Sequence, residues 1–439
     1  MRVKLLIIGG GASGTLTALH QARHIGAGNI LVVSPEKIPA RGIAYSTSNS
    51  RHLLNVRASN MGAYADDPGH FLRWLNEKNN TPTDADAFMP RKLYGDYLEA
   101  LFAAAGIAHR QQTVTALSPE DSGVRATLSD GTVLSADRAV LALGHFPPVD
   151  IPQYAPDVLE SGCYRPDAWS RTFPDRALGV DEPVVLIGTG LTSIDMLLNL
   201  REQGHRGPVT MVSRHGLLSH AHTEPSSPLS PSVVPLETTA TALAYLRCFR
   251  ASLADRVAWR TAVDSIRPVT NALWQRLPPN EQKRFRRHLF HLWNISRHRM
   301  APPIAAVIER EREAGTLVIR RAHVETITRS GRGAEVKLRT AEGTTLIPAG
   351  LVINCSGPDT RYDRVPSPLL NQLLRGGHIV SGAMGSALVT NDRGMVIDAT
   401  GRALPCICAI GPLRAGTLFE TTAIPEIRQQ ANALAQDTF

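Results

Sequence analysis

The stretch Leu5-Leu6-Ile7-Ile8-Gly9-Gly10-Gly11-Ala12-Ser13-Gly14 decides the fold. Its first four residues form an unbroken apolar run, the pattern of a strand buried on both faces of a parallel sheet. Gly9-x-Gly11-x-x-Gly14 follows where that strand must turn into a helix. The first glycine allows a tight turn, the second lets backbone approach a pyrophosphate, and the third lets helix and strand pack closely. The helix behind the loop is read over residues 13–25. Its N-terminus, with Ala12 and Ser13, offers free N–H groups and a positive dipole end to phosphate. A strand at residues 30–33 completes a βαβ unit. With a strand before the glycines and a helix after them, the reading is dinucleotide binding.

Further along, Gly188-Thr189-Gly190-Leu191-Thr192-Ser193 repeats this context. The strand Val184-Val185-Leu186-Ile187 precedes it, an apolar helix at 193–203 follows, and another strand comes at 209–212. Ser193 replaces the third glycine. Two dinucleotide units in one chain point to a flavoprotein that takes hydride from a nicotinamide. FAD is assigned to the first unit and the nicotinamide to the second. The ends of the second strands carry the nucleotide preference. In the first unit Ser34-Pro35-Glu36 stands where an acid normally grips a ribose hydroxyl, so Ser34 or Glu36 takes that contact. In the second unit Ser213-Arg214 offers an arginine and no acid, which accommodates a 2′-phosphate and favours NADPH over NADH.

The 439 residues, 43% hydrophobic and 20% charged, suffice for more than one core. The formal net charge of +8 fits phosphate-bearing cofactors. Five scattered cysteines without CxxC spacing argue against a disulfide framework, a zinc site and a thiol–disulfide reductase. The apolar run at the N-terminus is too short for a signal peptide, and no run of eighteen apolar residues exists, so a cytoplasmic protein without a membrane span is expected. The expected architecture is α/β, with two Rossmann-like domains and a helical insertion. Residues 1–150 form the first part of an FAD domain and 351–439 its second part. A nicotinamide domain at 180–350 is inserted between them, and the helical segment occupies about 236–315. Glu224–Pro235, rich in Ser and Pro, reads as a loop or lid. Residues 283–300, KRFRRHLFHLWNISRHRM, read as a helix with an apolar stripe of Phe285, Leu289, Leu292 and Trp293 among cations. Nucleic acid is a poor partner for it, because two dinucleotide units already account for a basic surface.

Several motifs resemble the bacterial FAD–NAD(P)-binding flavoproteins related to N-hydroxylating and flavin-containing monooxygenases. Arg41-Gly42-Ile43-Ala44-Tyr45 and His52-Leu53-Leu54-Asn55-Val56-Arg57-Ala58-Ser59-Asn60-Met61 are similar to segments that lie beside the flavin in that family. Leu141-Ala142-Leu143-Gly144-His145 resembles its strand-end crossover, and Ile353-Asn354-Cys355-Ser356-Gly357 the second copy. Ile410-Gly411-Pro412 and Glu420-Thr421-Thr422-Ala423 resemble its closing flavin motif, with Pro412 in place of the usual Asp. The resemblance implies FAD contacts from Gly42, Tyr45, Asn55, Met61, Gly144, Gly411, Thr422 and Ala423. It implies NADPH or acidic-substrate contacts from Arg297 and Arg299, in a stretch similar to the family's W-x-x-x-R-H-R.

The function these readings imply is an NADPH-dependent single-component monooxygenase. It would oxidise the nitrogen of a small amine or amino acid with oxygen, through a flavin C4a-hydroperoxide. Alternatives are an NAD(P)H-dependent reductase serving another acceptor, and an FAD-binding redox sensor without turnover. Since the flavin would carry the chemistry, no protein nucleophile is required. His52, Asn55 and His145 are the side chains with a claim to a catalytic role near it.

Overall fold

The computed structural model describes residues 2–79, 82–150, 153–170, 177–223, 231–382 and 385–436. The opening run is strand β1 (Arg2–Ile8). Leu5 and Ile7 enter one hydrophobic core and Leu6 and Ile8 the opposite one, so both faces of the strand are covered and no polar residue interrupts it. Helix α1 (Ala12–Ile25) and strand β2 (Ile30–Ser34) follow, with β2 parallel to β1. Helices α2 (Gly42–Tyr45), α3 (His70–Asn79) and α4 (Arg91–Ala104) come next. Strand β3 (Ala108–Gln111) extends the sheet beyond β2. The antiparallel pair β4 (Val114–Glu120) and β5 (Gly123–Leu128) leads to β6 (Val133–Leu141), which returns parallel to β1.

The crossing segment carries α5 (Pro156–Glu160) and β7 (Tyr164–Arg165). A second βαβ unit then forms from β8 (Val184–Ile187), α6 (Leu191–Glu202) and β9 (Val209–Ser213). Six helices interrupt it: α7 (Ala242–Ala254), α8 (Trp259–Ile266), α9 (Thr270–Arg276), α10 (Pro279–His288), α11 (Phe290–Arg297) and α12 (Pro302–Glu313). The chain then gives β10 (Leu317–Arg321), an antiparallel trio β11 (His323–Ser330), β12 (Gly333–Arg339) and β13 (Thr344–Ala349), and β14 (Leu351–Asn354). The second sheet has the order β10-β9-β8-β14-β7 and is parallel throughout. After α13 (Pro368–Arg375), strands β15 (Met395–Ile397) and β16 (Ala403–Ala409) rejoin the first sheet, whose order is β15-β16-β6-β1-β2-β3. Helix α14 (Ile424–Gln436) closes the chain against α1.

The fold is thus α/β with two dinucleotide-type units, and the first sheet draws strands from both ends of the chain. Three details differ from the sequence reading. Strand β14 lies inside the second sheet, between β8 and β7, so the chain leaves that sheet after Asn354 and not at 351. The basic stretch 283–300 is not one helix. It breaks at Leu289 (φ −118°, ψ −23°), and the break brings Phe285 of α10 and Trp293 of α11 around the ring of Phe419. The β4–β5 hairpin has no counterpart in the sequence pattern, because its residues lack a clean alternation. Of the Ser/Pro-rich segment, residues 224–230 lie outside the described residues.

A Cβ on Gly14 would overlap the carbonyl oxygen of Gly9, so the third glycine is fixed by helix–strand contact. Gly14→Ala is expected to destabilise the protein by about 1–3 kcal/mol through overpacking, and to purify with less flavin. Thermal unfolding and visible absorbance check this; a fully yellow variant with an unchanged midpoint contradicts it.

Candidate active site

The glycine loops stand at the carboxyl ends of β1 and β8, where open α/β sheets bind ligands. Each loop backs onto a crossover strand. Gly9 has φ +110° and packs its backbone on the Ala142 carbonyl, just past β6. Gly188 has φ +122°, and a Cβ there would sit 2.5 Å from the Cys355 carbonyl, just past β14. Above Gly190 the space is open, as a pyrophosphate requires. Ser193 compensates for the missing third glycine: its hydroxyl donates to the Gly188 carbonyl (2.8 Å), tying helix α6 back onto the loop. Thr189 donates to the Leu217 carbonyl (2.6 Å) and lies 2.9 Å from the Ser213 hydroxyl.

One cleft of about 610 Å³ receives both units. From the first come Gly9, Gly11, Ala12, Ser13, Ser34, Glu36, Gly42, Tyr45, Gly144 and His145, and from the closing motif Pro412 and Thr422. From the second come Leu191, Thr192 and Asp195 of α6, with Asn354, Cys355, Gly357 and Pro358 of its crossover. Gly42 (φ +55°) faces the first loop so closely that a Cβ would meet the Gly11 Cα at 3.1 Å. Gly411 (φ +68°) abuts Ser13, where a Cβ would lie 2.6 Å from its hydroxyl oxygen, and so seats the closing motif on the first fingerprint.

Of the other sequence candidates, Met61, Gly14, Ala423, Asn55 and His52 take supporting positions and do not line the cleft. Met61 is buried in the core. Gly14 lies beneath the loop, and Ala423 starts α14 with its carbonyl accepting from Glu426 and Ile427. Asn55 offers its carbonyl to His222 Nε2 (3.1 Å). Ser34 is buried and turns its hydroxyl to His109 Nε2 (3.0 Å), which leaves Glu36, exposed on the cleft wall, as the acid on that side. His52 is fully buried between Thr47 Oγ1 (2.8 Å) and the Asp195 carbonyl (2.9 Å), and burial lowers its pKa. It joins the two units and does not reach the cleft. His145 is exposed at the cleft wall.

Arg297 and Arg299 are both paired with carboxylates. Arg297 pairs with Glu420 (3.2 Å) and Glu426 (3.4 Å). Arg299 binds both carboxylate oxygens of Asp264 (3.2 and 2.8 Å) and the Ser296 carbonyl. Their side chains are 9% and 4% exposed, so these carboxylates have already claimed both guanidinium groups. Arg214 stands differently. It is exposed just past β9, beside the stacked rings of His215 and His291 (3.7 Å). Burial lowers the His215 pKa, and the charges of His291, Arg214, Arg321 and His323 lower it further, marking a cationic corner at the end of the second unit.

No local pattern marks the pair that spans the units. Arg91 of α4 donates to Asp195 Oδ2 (2.8 Å) and Oδ1 (3.3 Å), with side chains 16% and 7% exposed. Asn49 adds a bond to Asn199 (2.7 Å). Trp169, edge-on to His52, also lines the cleft. The thiol of Cys355 is fully enclosed and its pKa is pushed up to about 12 by burial, so it offers no thiolate.

Residues 6–146 match the model of a family described as FAD-NAD(P)-binding. The whole chain is similar in fold to an ornithine N-hydroxylase from Kutzneria sp. 744, with 14% identity, 100% of this chain and 99% of that one covered, and a TM-score of 0.70. It is similar to a desferrioxamine-pathway cadaverine monooxygenase from Erwinia amylovora, with 13% identity, 99% and 94% covered, and a TM-score of 0.68. It also resembles a bacillithiol disulfide reductase from Staphylococcus aureus, with 14% identity, 99% and 98% covered, and a TM-score of 0.60. No curated protein matches the sequence. The family match lies on the residues that form the first unit, and the likeness in fold to these three proteins runs over the whole chain. Among the described residues, no helix is long and apolar enough to cross a membrane.

Asp195→Ala would leave Arg91 buried and unpaired. Loss of one partner of such a pair costs about 3–5 kcal/mol; a fall in the thermal midpoint and slower flavin reduction by NADPH are expected, and wild-type values for both contradict the assignment. His222 supplies a pH test. Burial, with Arg299, Arg260 and Arg57 nearby, pushes its pKa down to about 4 despite its bond to the Asn55 carbonyl. The unfolded chain binds this proton near pH 6.5 and the folded protein does not, so stability falls as pH drops from about 6.5 toward 4. Chemical denaturation across that range is expected to show a shallower decline for His222→Gln; an identical slope refutes the attribution.

Proposed function

We propose that this protein is an NADPH-dependent FAD monooxygenase acting on the nitrogen of a small amine or amino acid. The observation that carries the proposal is the shared cleft, in which the first fingerprint loop and the first turns of α6 line one volume. When bound, FAD supplies hydride acceptance and oxygen activation. The chain's own part is binding and geometry. Gly9, Gly11, Ala12 and Ser13 receive the pyrophosphate at the N-terminus of α1. Gly42, Gly411 and Thr422 shape the wall that holds the ring system, with Glu36 placed for the ribose. Gly188, Gly190 and Thr192 receive the second pyrophosphate at α6, with Ser193 bracing the loop from beneath. The Arg91–Asp195 pair holds the two loops at a fixed separation, since hydride transfer tolerates little displacement.

Arg214 and its cationic corner favour the 2′-phosphate of NADPH. Arg214→Ala is expected to raise KM for NADPH about tenfold, the loss of about 1.4 kcal/mol from one exposed charge-assisted contact, and to leave KM for NADH nearly unchanged. Steady-state kinetics with both nucleotides decide it, and equal effects refute the role.

The fold neighbours that act on ornithine and cadaverine support an amine substrate, while the absence of CxxC argues against disulfide reduction. The test is NADPH oxidation under air with a panel of amines and amino acids. A substrate that yields hydroxylamine in step with NADPH consumed is expected. Peroxide alone with every amine, or turnover only with a non-oxygen acceptor, overturns the monooxygenase reading in favour of an oxidase or reductase.

A further inference from the structure

The helical insert and Phe419 line a second cavity, of about 170 Å³, open to solvent on one side and separate from the flavin cleft. Tyr245, Phe249, Trp274, Phe285, Trp293 and Phe419 are six of its lining residues, in a chain whose aromatic content is only 5%. Thr270 and Ser296 bring hydroxyls to a wall that is otherwise aliphatic or aromatic, apart from the Tyr245 phenol. That phenol donates to the Leu273 carbonyl (3.2 Å), so it is already satisfied. Interiors of folded proteins are close-packed, and voids well above the size of a water are few. One this apolar gives water no partners. A cavity of about 150 Å³ lined by Leu, Ile and Phe stays dry and takes up benzene, and this volume is of that order.

The cavity has a way in and a way to be felt. Leu292, on its wall in α11, is 45% exposed and marks the mouth. The floor is Phe419, with ring centroids 4.7 Å from Trp274 and 5.4 Å from Phe285. Phe419 immediately precedes Glu420 of the closing motif. Its backbone N–H and that of Glu420 both donate to Asn271 Oδ1 (2.9 Å each), and Thr422, three residues on, lines the flavin cleft. The insert is therefore joined to the flavin wall through a short, tethered segment. A charged linear diamine finds no counter-ion on this surface; a ring finds edge and face contacts on several sides.

We infer that the helical insert holds a binding site for one aromatic ring or a comparably compact apolar group, carried by the substrate or by a separate small molecule. The site itself stands apart from the proposed reaction; only the choice between the two sources rests on that reading. The test uses the FAD-loaded full chain and fluorobenzene, followed by ¹⁹F NMR. Saturable binding at one site is expected. Leu273→Trp fills the cavity and Leu292→Trp covers its mouth; each is expected to weaken binding at least tenfold while flavin content and the unfolding midpoint show that the protein is folded. The absence of saturable binding, or wild-type affinity in both folded variants, overturns the site. A second arm measures NADPH oxidation with arylalkylamines of increasing chain length. If fluorobenzene and Leu273→Trp both raise KM for the longer amines, the cavity receives the ring of the substrate; if kcat changes and KM does not, it receives a separate molecule. Either result supports the site, and a protein that binds fluorobenzene yet oxidises no amine separates failure of the reaction from failure of the cavity.

Discussion

The close approach of two glycine loops to two crossover carbonyls is the constraint on which the rest depends. At Gly9 and Gly188 the backbone takes a left-handed conformation and lies where any Cβ would strike a carbonyl from the neighbouring strand end. Only glycine meets both conditions. With side chains removed at these points, the helix N-termini of α1 and α6 come forward to the mouth of each sheet, and phosphate can reach their free N–H groups. The crossovers pressed against the loops, at Ala142 and Cys355, are also the points where the chain passes between sheets. The cleft follows from where the chain has to cross.

Two such loops make a redox site only if their separation is held. Polar contacts between units serve that end: Arg91 with Asp195, His52 with the Asp195 carbonyl, Asn49 with Asn199, and Asn354 with the Val149 carbonyl (3.0 Å). These bonds are directional and partly buried, so they fix orientation as well as distance. The closing motif acts from the other side. Gly411 sits on Ser13, and its N–H donates to Gln430 Oε1 (2.9 Å), so α14 and the first fingerprint are locked as one piece.

The first βαβ unit was legible in the sequence because one strand and one turn impose local rules. Leu5–Ile8 had to be apolar on both faces, and the glycines had to be glycine. The second unit was legible for the same reason, even with Ser193 in the third position, whose hydroxyl turns out to bond the loop it replaces. Contacts between distant residues were not legible. Arg91 and Asp195 each look like ordinary helix residues, and nothing local marks them as partners. Arg297 and Arg299 show the converse. Their sequence context suggested phosphate, yet Glu420, Glu426 and Asp264, all far along the chain or on another helix, had already taken their charges. The stripe Phe285, Leu289, Leu292 and Trp293 was visible as a pattern. That it bends at Leu289 to line a cavity depends on Trp274 and Phe419, which the pattern does not contain.

In the proposed reaction both nucleotides meet in one cleft. Anaerobic stopped-flow reduction of the bound flavin, with NADPH carrying deuterium or hydrogen at the transferring C4 position, tests it most directly. The account predicts bleaching of the flavin band with a primary isotope effect on the observed rate. Yellow protein that stays yellow with excess NADPH would contradict it.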